Sequence, residues 1–373
     1  MSSPTVYLRD IESRPRFMTT WERYKHREAH WLAESVGEML GVFFYVYAGV
    51  GATASFVVGT LTGQTGLGCT YKFKFEHVKA PPGDLVLTFD PLALHTVGFA
   101  YSIGIVLAVT ICGATSGGHF NPAVTLAFAI FKGFPLRKTW RYIIAQILGA
   151  YIACLVIYVQ WKDLLDVAEE VLSAKGLYDT VMFSPNGPAG VFALYVSPTT
   201  NLHRVLLNEF VTDFAIGLVI WGCLDPTNHL APPAFAPWII GFTYGIAVWG
   251  YSPTSLAANS CRDIGARLMA MTIWGTRATG GRYAAITALT NIPATILAAL
   301  VYETFLGSSS RTLTPVHIQY LSAHKKYVDD NDLAPPGYLG GLQPGNFSSS
   351  QYDMDEHLEK DATQVLEVTG TRV

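Results

Sequence analysis

The chain has 373 residues, half of them hydrophobic and only 14% charged, with a net charge of −3. That is too apolar for an ordinary soluble domain and too regular in its spacing for disorder, so the composition indicates a membrane protein. A net negative charge argues against nucleic acid as a partner, because a binder needs a basic surface to displace phosphate counterions. The five cysteines, an odd number scattered mostly through apolar runs, suggest neither a disulfide framework nor metal-ligand spacing, and no cofactor is expected.

Residues 1–31 form a polar tail in which Arg9, Arg14, Arg16, Arg23, Lys25 and Arg27 precede the first apolar run. The tail has no short apolar core with a cleavage site, so no cleavage is expected and the first span acts as its own insertion signal. Its basic residues predict a cytoplasmic location. The first span is predicted over 37–61, with Gly41, Gly49, Gly51 and Ala52 allowing close helix approach. An outer loop over 63–90, holding Pro81, Pro82 and Gly83, leads to a second span over 92–114. Lys132, Arg137, Lys138 and Arg141 then mark a cytoplasmic return, in agreement with the tail.

The third span is predicted over 140–158, followed by a long outer loop containing Gly187-Pro188-Ala189-Gly190-Val191-Phe192-Ala193-Leu194-Tyr195. The fourth, over 206–224, stops at the turn formers Asp225-Pro226-Thr227-Asn228. The fifth covers 238–251, with an apolar core on the short side, and the sixth 283–305. Beyond residue 307 the composition turns polar and acidic, with Asp329, Asp330 and Asp332 followed by Asp353, Asp355, Glu356, Glu359 and Asp361, so 307–373 is expected to be a disordered cytoplasmic tail. The serines at 308–310 and 348–350 are candidate phosphorylation sites, although such clusters are common in solvated tails. The sequon at Asn346 would lie on the wrong side of the membrane for glycosylation.

Two motifs interrupt this pattern. Ser116-Gly117-Gly118-His119-Phe120-Asn121-Pro122-Ala123-Val124-Thr125 reads as a helix start between two apolar runs, with Asn121 as N-cap and Pro122 in the first turn. Ala258-Asn259-Ser260-Cys261-Arg262-Asp263 is a degenerate echo of it in the second half. Each follows a helix with a glutamate in a matched setting, Glu38 and Glu209. One such start alone is an ordinary capped helix. Duplicated halves, each with an interrupted helix, point to a transport site at the bilayer midplane. There the half-helix N-termini carry unpaired N–H groups and positive dipole ends, which bind water or hydroxyls and repel cations. Asn121 and Asn259 would cap with their side-chain oxygens and offer amide N–H groups to the path, while carbonyls of Gly117, Gly118, His119 and Phe120 and of Ser255, Leu256, Ala257 and Ala258 supply acceptors.

These residues resemble the aquaporin, or major intrinsic protein, family, matching its twin Asn-Pro-Ala boxes once fully and once in part. The resemblance implies an all-α membrane protein of six transmembrane helices and two re-entrant half-helices in an inverted repeat. The channel domain would cover 32–306, its halves over 32–160 and 205–306. It also implies a homotetramer with one pore per subunit in the lipid bilayer, expected in the plasma membrane. Glu38 and Glu209, read from the residues alone as either a proton relay or a brace, become by resemblance braces of the irregular loops. The family's constriction would fall on Tyr101, Ala247, Leu256 and Arg262, with Asp263 or a carbonyl as partner to the arginine.

Small, apolar Ala247 implies an opening wider than in water-only members. Asp263 and the loop around Gly190 resemble the glycerol-conducting branch, whereas Leu256 departs from the aromatic usual there. Ser260 and Cys261 replace Pro and Ala of the second box, Cys adding volume where the half-helices meet. The expected function is a passive channel for glycerol, other small neutral solutes and water that excludes ions and protons. The alternatives are a water-selective channel and a non-conducting scaffold or adhesion relative. An enzyme is not indicated, since His95 and His119 lack a nucleophile or ligand cluster, and a secondary transporter should carry more intramembrane acids.

Overall fold

The computed structural model describes residues 7–11, 14–62, 91–253 and 255–330. The loop over 63–90 with Cys69, the acidic run from Asp332, the serines at 348–350 and Asn346 lie outside the described residues. Within them, all regular structure is helical.

The N-terminal tail holds a single turn, α1 (Leu8–Ile11), and a longer helix, α2 (Arg16–Arg27). The first spanning helix, α3 (His30–Thr62), starts seven residues before the hydropathic boundary predicted at 37. Buried Glu34 is the reason it can do so: Lys138 donates to its carboxylate at 2.7 Å, so a charge that would end an apolar run is neutralised inside the bundle. Then come α4 (Pro91–Ser116), the short α5 (Pro122–Phe131) and α6 (Leu136–Gln160).

The connection predicted as an outer loop instead contains α7 (Lys162–Ala174) and the turn α8 (Tyr178–Val181). Leu165, Ala168 and Leu172 recur at helical spacing on α7 and are buried in the same core cluster as Val191 and Phe192. The second half repeats the pattern with α9 (Leu202–Leu224), α10 (Ala236–Gly250) and α11 (Ser260–Trp274). Its last span is built from α12 (Arg282–Leu289) and α13 (Asn291–Val301). Their break at Thr290 matches Pro293, which cannot donate a hydrogen bond to the carbonyl four residues back.

Five of these helices are long and apolar enough to cross a membrane by length and composition: α3, α4, α6, α9 and the α12–α13 span. The sixth, α10, has 15 residues, a rise of about 22 Å, and packs along α4. The two halves interlock, because α5 packs against α13 of the second half and α11 against α6 of the first.

Two glycines of α3 make room for the site. A Cβ on Gly41 would fall 2.0 Å from the Phe120 ring and one on Gly49 would fall 2.2 Å from the Tyr101 ring.

The expectation of a structureless tail from residue 307 fails for α14 (Pro315–Asp330). Thr314 starts this helix by accepting from the His317 backbone N–H at 3.2 Å. His317 is buried, and α14 lies beside α2, with the His26 and Tyr327 ring centroids 5.7 Å apart. Packing against the bundle and α2 supplies stabilisation that the polar local composition does not show.

Candidate functional site: a paired half-helix pore

In the first half, Phe120 takes a φ of 48°, a left-handed conformation rare for a bulky residue, and Asn121 follows in extended backbone. This turn frees the backbone N–H groups of His119 and Phe120, which donate to the two Glu38 oxygens at 3.0 and 2.8 Å. Gln146 Nε2 donates to Glu38 at 2.7 Å and to Thr125 Oγ1 at 3.0 Å, and the Tyr142 hydroxyl donates to the Ser116 carbonyl at 2.7 Å. Asn121 Oδ1 accepts from the Ala123 N–H at 2.8 Å and thereby caps α5. His119 packs among Phe128, Phe134 and Tyr142, with Nδ1 3.2 Å from Thr125 Oγ1. The Thr125 hydroxyl already donates to the Asn121 carbonyl at 2.9 Å, so Nδ1 carries the ring proton.

The second half repeats the backbone with other side chains. Ala258 takes a φ of 53°, and the N–H groups of Ala257 and Ala258 donate to Glu209 at 2.9 and 2.8 Å. Asn259 Oδ1 accepts from the Cys261 N–H at 3.0 Å and caps α11. Asn291 Nδ2 donates to the Ala258 carbonyl at 3.3 Å. Buried Asp213, one turn beyond Glu209, lies beside Asn291. The sequence reading missed this acid, although an aspartate within an apolar helix was the available signal.

The two N-termini meet at the Phe120 carbonyl. Asn259 Nδ2 donates to it at 2.8 Å and the Cys261 thiol lies 3.6 Å from it. The acceptors expected at Phe120 and Ala258 are therefore engaged by Asn259 and Asn291, and one Asn259 amide N–H is used inside the protein. Cys261 fills this junction fully buried, and its sulfur also lies 3.8 Å from the Tyr45 hydroxyl.

Toward the end that bears α7, Arg262 extends across the bundle. Its Nε and Nη2 donate to the Tyr101 hydroxyl at 3.1 and 2.9 Å, and Nη1 donates to the Phe192 carbonyl at 2.7 Å. Asp263 is not its partner. That carboxylate instead binds Arg267 at 2.6 and 2.9 Å and accepts from Thr287 at 2.8 Å, tying α11 to α12. Of the four residues predicted for the constriction, Tyr101 and Arg262 are thus bonded to each other. Ala247 and Leu256 share a second apolar cluster, and Tyr244 packs against both clusters. The Phe192 carbonyl was not singled out as a site group, because a backbone acceptor brought in by a distant turn has no side-chain signal.

A cavity of about 260 Å³ opens from the paired asparagines toward the end that bears α14. Gly118, His119, Phe120, Asn121 and Asn259 line it, as does Tyr320 of α14; Ala257 and Ala258 do not. Its other walls are largely apolar, including Val109, Val124, Ile220 and Leu224. Burial holds the imidazoles of His317 and His324 on α14 below their ordinary range.

Paired half-helices capped by asparagines, interlocked inside a bundle of spanning helices, define a membrane channel of the re-entrant kind. The family model for the Major intrinsic protein matches residues 25–302, and the chain belongs to this aquaporin family. Aquaporin-3 of Laccaria bicolor is 46% identical over 340 residues, covering 89% of this chain and 96% of that protein. Aquaglyceroporin-2 of Rhizophagus irregularis is 31% identical over 236 residues, 63% of this chain and 64% of that one. An X-ray structure of the aquaglyceroporin from Plasmodium falciparum matches with a TM-score of 0.56 at 18% identity, covering 74% of this chain and 97% of that chain, a likeness of fold alone.

Proposed function

We propose that the chain is a passive channel for glycerol, other small neutral solutes and water, excluding ions and protons. The observation that supports this reading is the guanidinium of Arg262, held across the bundle. Tyr101 and the Phe192 carbonyl hold it, and small Ala247 and aliphatic Leu256, which the family resemblance assigns to the same constriction, share the second apolar cluster. A polyol needs an apolar wall for its carbons and donors for its hydroxyls. Three hydrogen bonds leave Arg262 two N–H groups for that use. The fixed charge and both half-helix dipoles disfavour a cation there.

Exposed Phe99, Ile103, Leu107 and Ile111 form one stripe on α4, in keeping with contact with lipid or with neighbouring subunits of a tetramer. Both tails are assigned to the cytoplasm of a plasma-membrane protein, from the basic residues at 9–27 and 132–141 and from an even number of spans, which puts both ends on one side. The test is osmotic swelling of proteoliposomes, where water and glycerol should both enter faster than into empty liposomes. Ala247→His should lower glycerol entry by about tenfold and water entry far less, an effect of roughly 1.4 kcal/mol. Swelling in water without glycerol entry would leave a water-selective channel.

A non-conducting scaffold is the second reading, favoured by the engagement of the Phe120 carbonyl by Asn259 and Cys261. It predicts no swelling above empty liposomes with either solute.

A further inference from the structure

Helix α2 turns its aromatic side away from the protein. Phe17, Trp21 and Tyr24 follow the spacing of one helical face and are 68%, 48% and 52% exposed. The opposite side meets the rest of the chain. Glu22 and His26 are half-buried, and His26 Nδ1 lies 3.4 Å from the Tyr327 hydroxyl of α14. A helix that only packed onto the bundle would turn these rings inward.

Only two residues separate the end of α2 from the start of α3 and its run into the bilayer. Trp31 in its first turn is 50% exposed and Trp140 near the start of α6 is 64% exposed, so indole rings mark the membrane boundary at this level. The outward rings of α2 therefore lie next to the headgroup layer.

Charge identifies the surface. Helix α2 carries Arg16, Arg23, Lys25 and Arg27 against the single acid Glu22, and Glu22 is already paired with Arg14 at 3.4 Å. At about 100° per residue the three arginines border the aromatic face on one side and Lys25 on the other. A polar helix with an aromatic stripe edged by cations suits a bilayer surface bearing anionic headgroups.

We propose that α2 binds the anionic lipid surface of its own bilayer, with Phe17, Trp21 and Tyr24 at the headgroup–acyl boundary and the four cations on lipid phosphates and carboxylates. Because its underside contacts Tyr327, lipid binding steadies the platform on which α14 rests beside the pore cavity.

The test reconstitutes the full chain in nanodiscs of phosphatidylcholine, alone or with about one-third phosphatidylserine, and follows tryptic cleavage after Arg23 and Lys25 by mass spectrometry. Cleavage should be at least about fivefold slower in the anionic discs, and raised salt should remove most of that protection. Phe17→Glu with Trp21→Glu, both exposed positions outside the channel bundle, should abolish the protection while leaving swelling intact. Equal cleavage rates in the two discs would overturn the proposal. So would protection that survives both in raised salt and in the double variant.

Discussion

The two half-helix motifs reach one backbone by different means. Phe120 and Ala258 share the left-handed turn, Asn121 and Asn259 share the cap, and Glu38 and Glu209 each hold two consecutive N–H groups. Around them the first half adds Gln146, Thr125, Tyr142 and a stacked His119. The second half offers Asn291 and Asp213, with Ser260 and Cys261 in place of Pro122 and Ala123. The shared features satisfy backbone groups that no water in the hydrocarbon region could reach. The residues that vary add bonds around that shared frame, among them Tyr142 to the Ser116 carbonyl and Asn291 to the Ala258 carbonyl.

This comparison predicts that the glutamates matter most. Glu38→Ala or Glu209→Ala leaves two buried N–H groups unpaired at roughly 1–3 kcal/mol each, so folded protein should fall by about tenfold or more. Size-exclusion recovery in mild detergent checks it. Glu38→Gln keeps one acceptor oxygen and should be less damaging than Glu38→Ala, but should still lower recovery, since its NH2 replaces an oxygen that accepts from a backbone or Gln146 N–H. Recovery equal to the parent for either alanine variant would show that the loops hold without their braces.

Next in size is Arg262→Ala, which removes a fixed charge from the second half while both helix ends remain. Neutral-solute entry should persist and proton leak, read with a pH-sensitive dye in liposomes, should rise by about tenfold. Unchanged tightness in a well-assembled variant would assign the barrier to the helix ends alone.

The cavity sharpens the contrast, because its motif lining comes mainly from the first half and Tyr320 stands among its walls. Tyr320→Ala removes an aromatic ring from the path and should raise water entry by about twofold, or roughly 0.4 kcal/mol. The smallest effect is expected for the double change Ser260→Pro, Cys261→Ala. The N–H of Ser260 lies in the first helical turn, where proline is tolerated, so swelling should stay within about twofold of the parent. A larger gain would mean that the altered box restrains conduction.

Much of this was legible because local chemistry is repeated. Asn121-Pro122 and Asn259 announced their caps, Glu38 and Glu209 stood out as acids in apolar helices, and five long spans followed from hydropathy, with α10 a shorter sixth. Asp213 carried the same signal as the glutamates and was passed over. The helices α7 and α14 were missed for a different reason. Their apolar residues are spaced among charges, and the surface that buries Leu165 or His317 comes from elsewhere in the chain.

The sequence by itself determined the hydrophobic spans, the two asparagine caps and the presence of an acid in each matched apolar helix, because a hydrophobic span, a capping residue and a charge in an apolar run are each read within a few residues. Only the tertiary structure decided what pairs with what. Arg262 binds Tyr101 and the Phe192 carbonyl while Asp263 holds Arg267, and Asn259 reaches the Phe120 carbonyl across the midplane. Those partners lie far apart in the chain, or compete for one cation, and the choice follows from which helices are brought side by side.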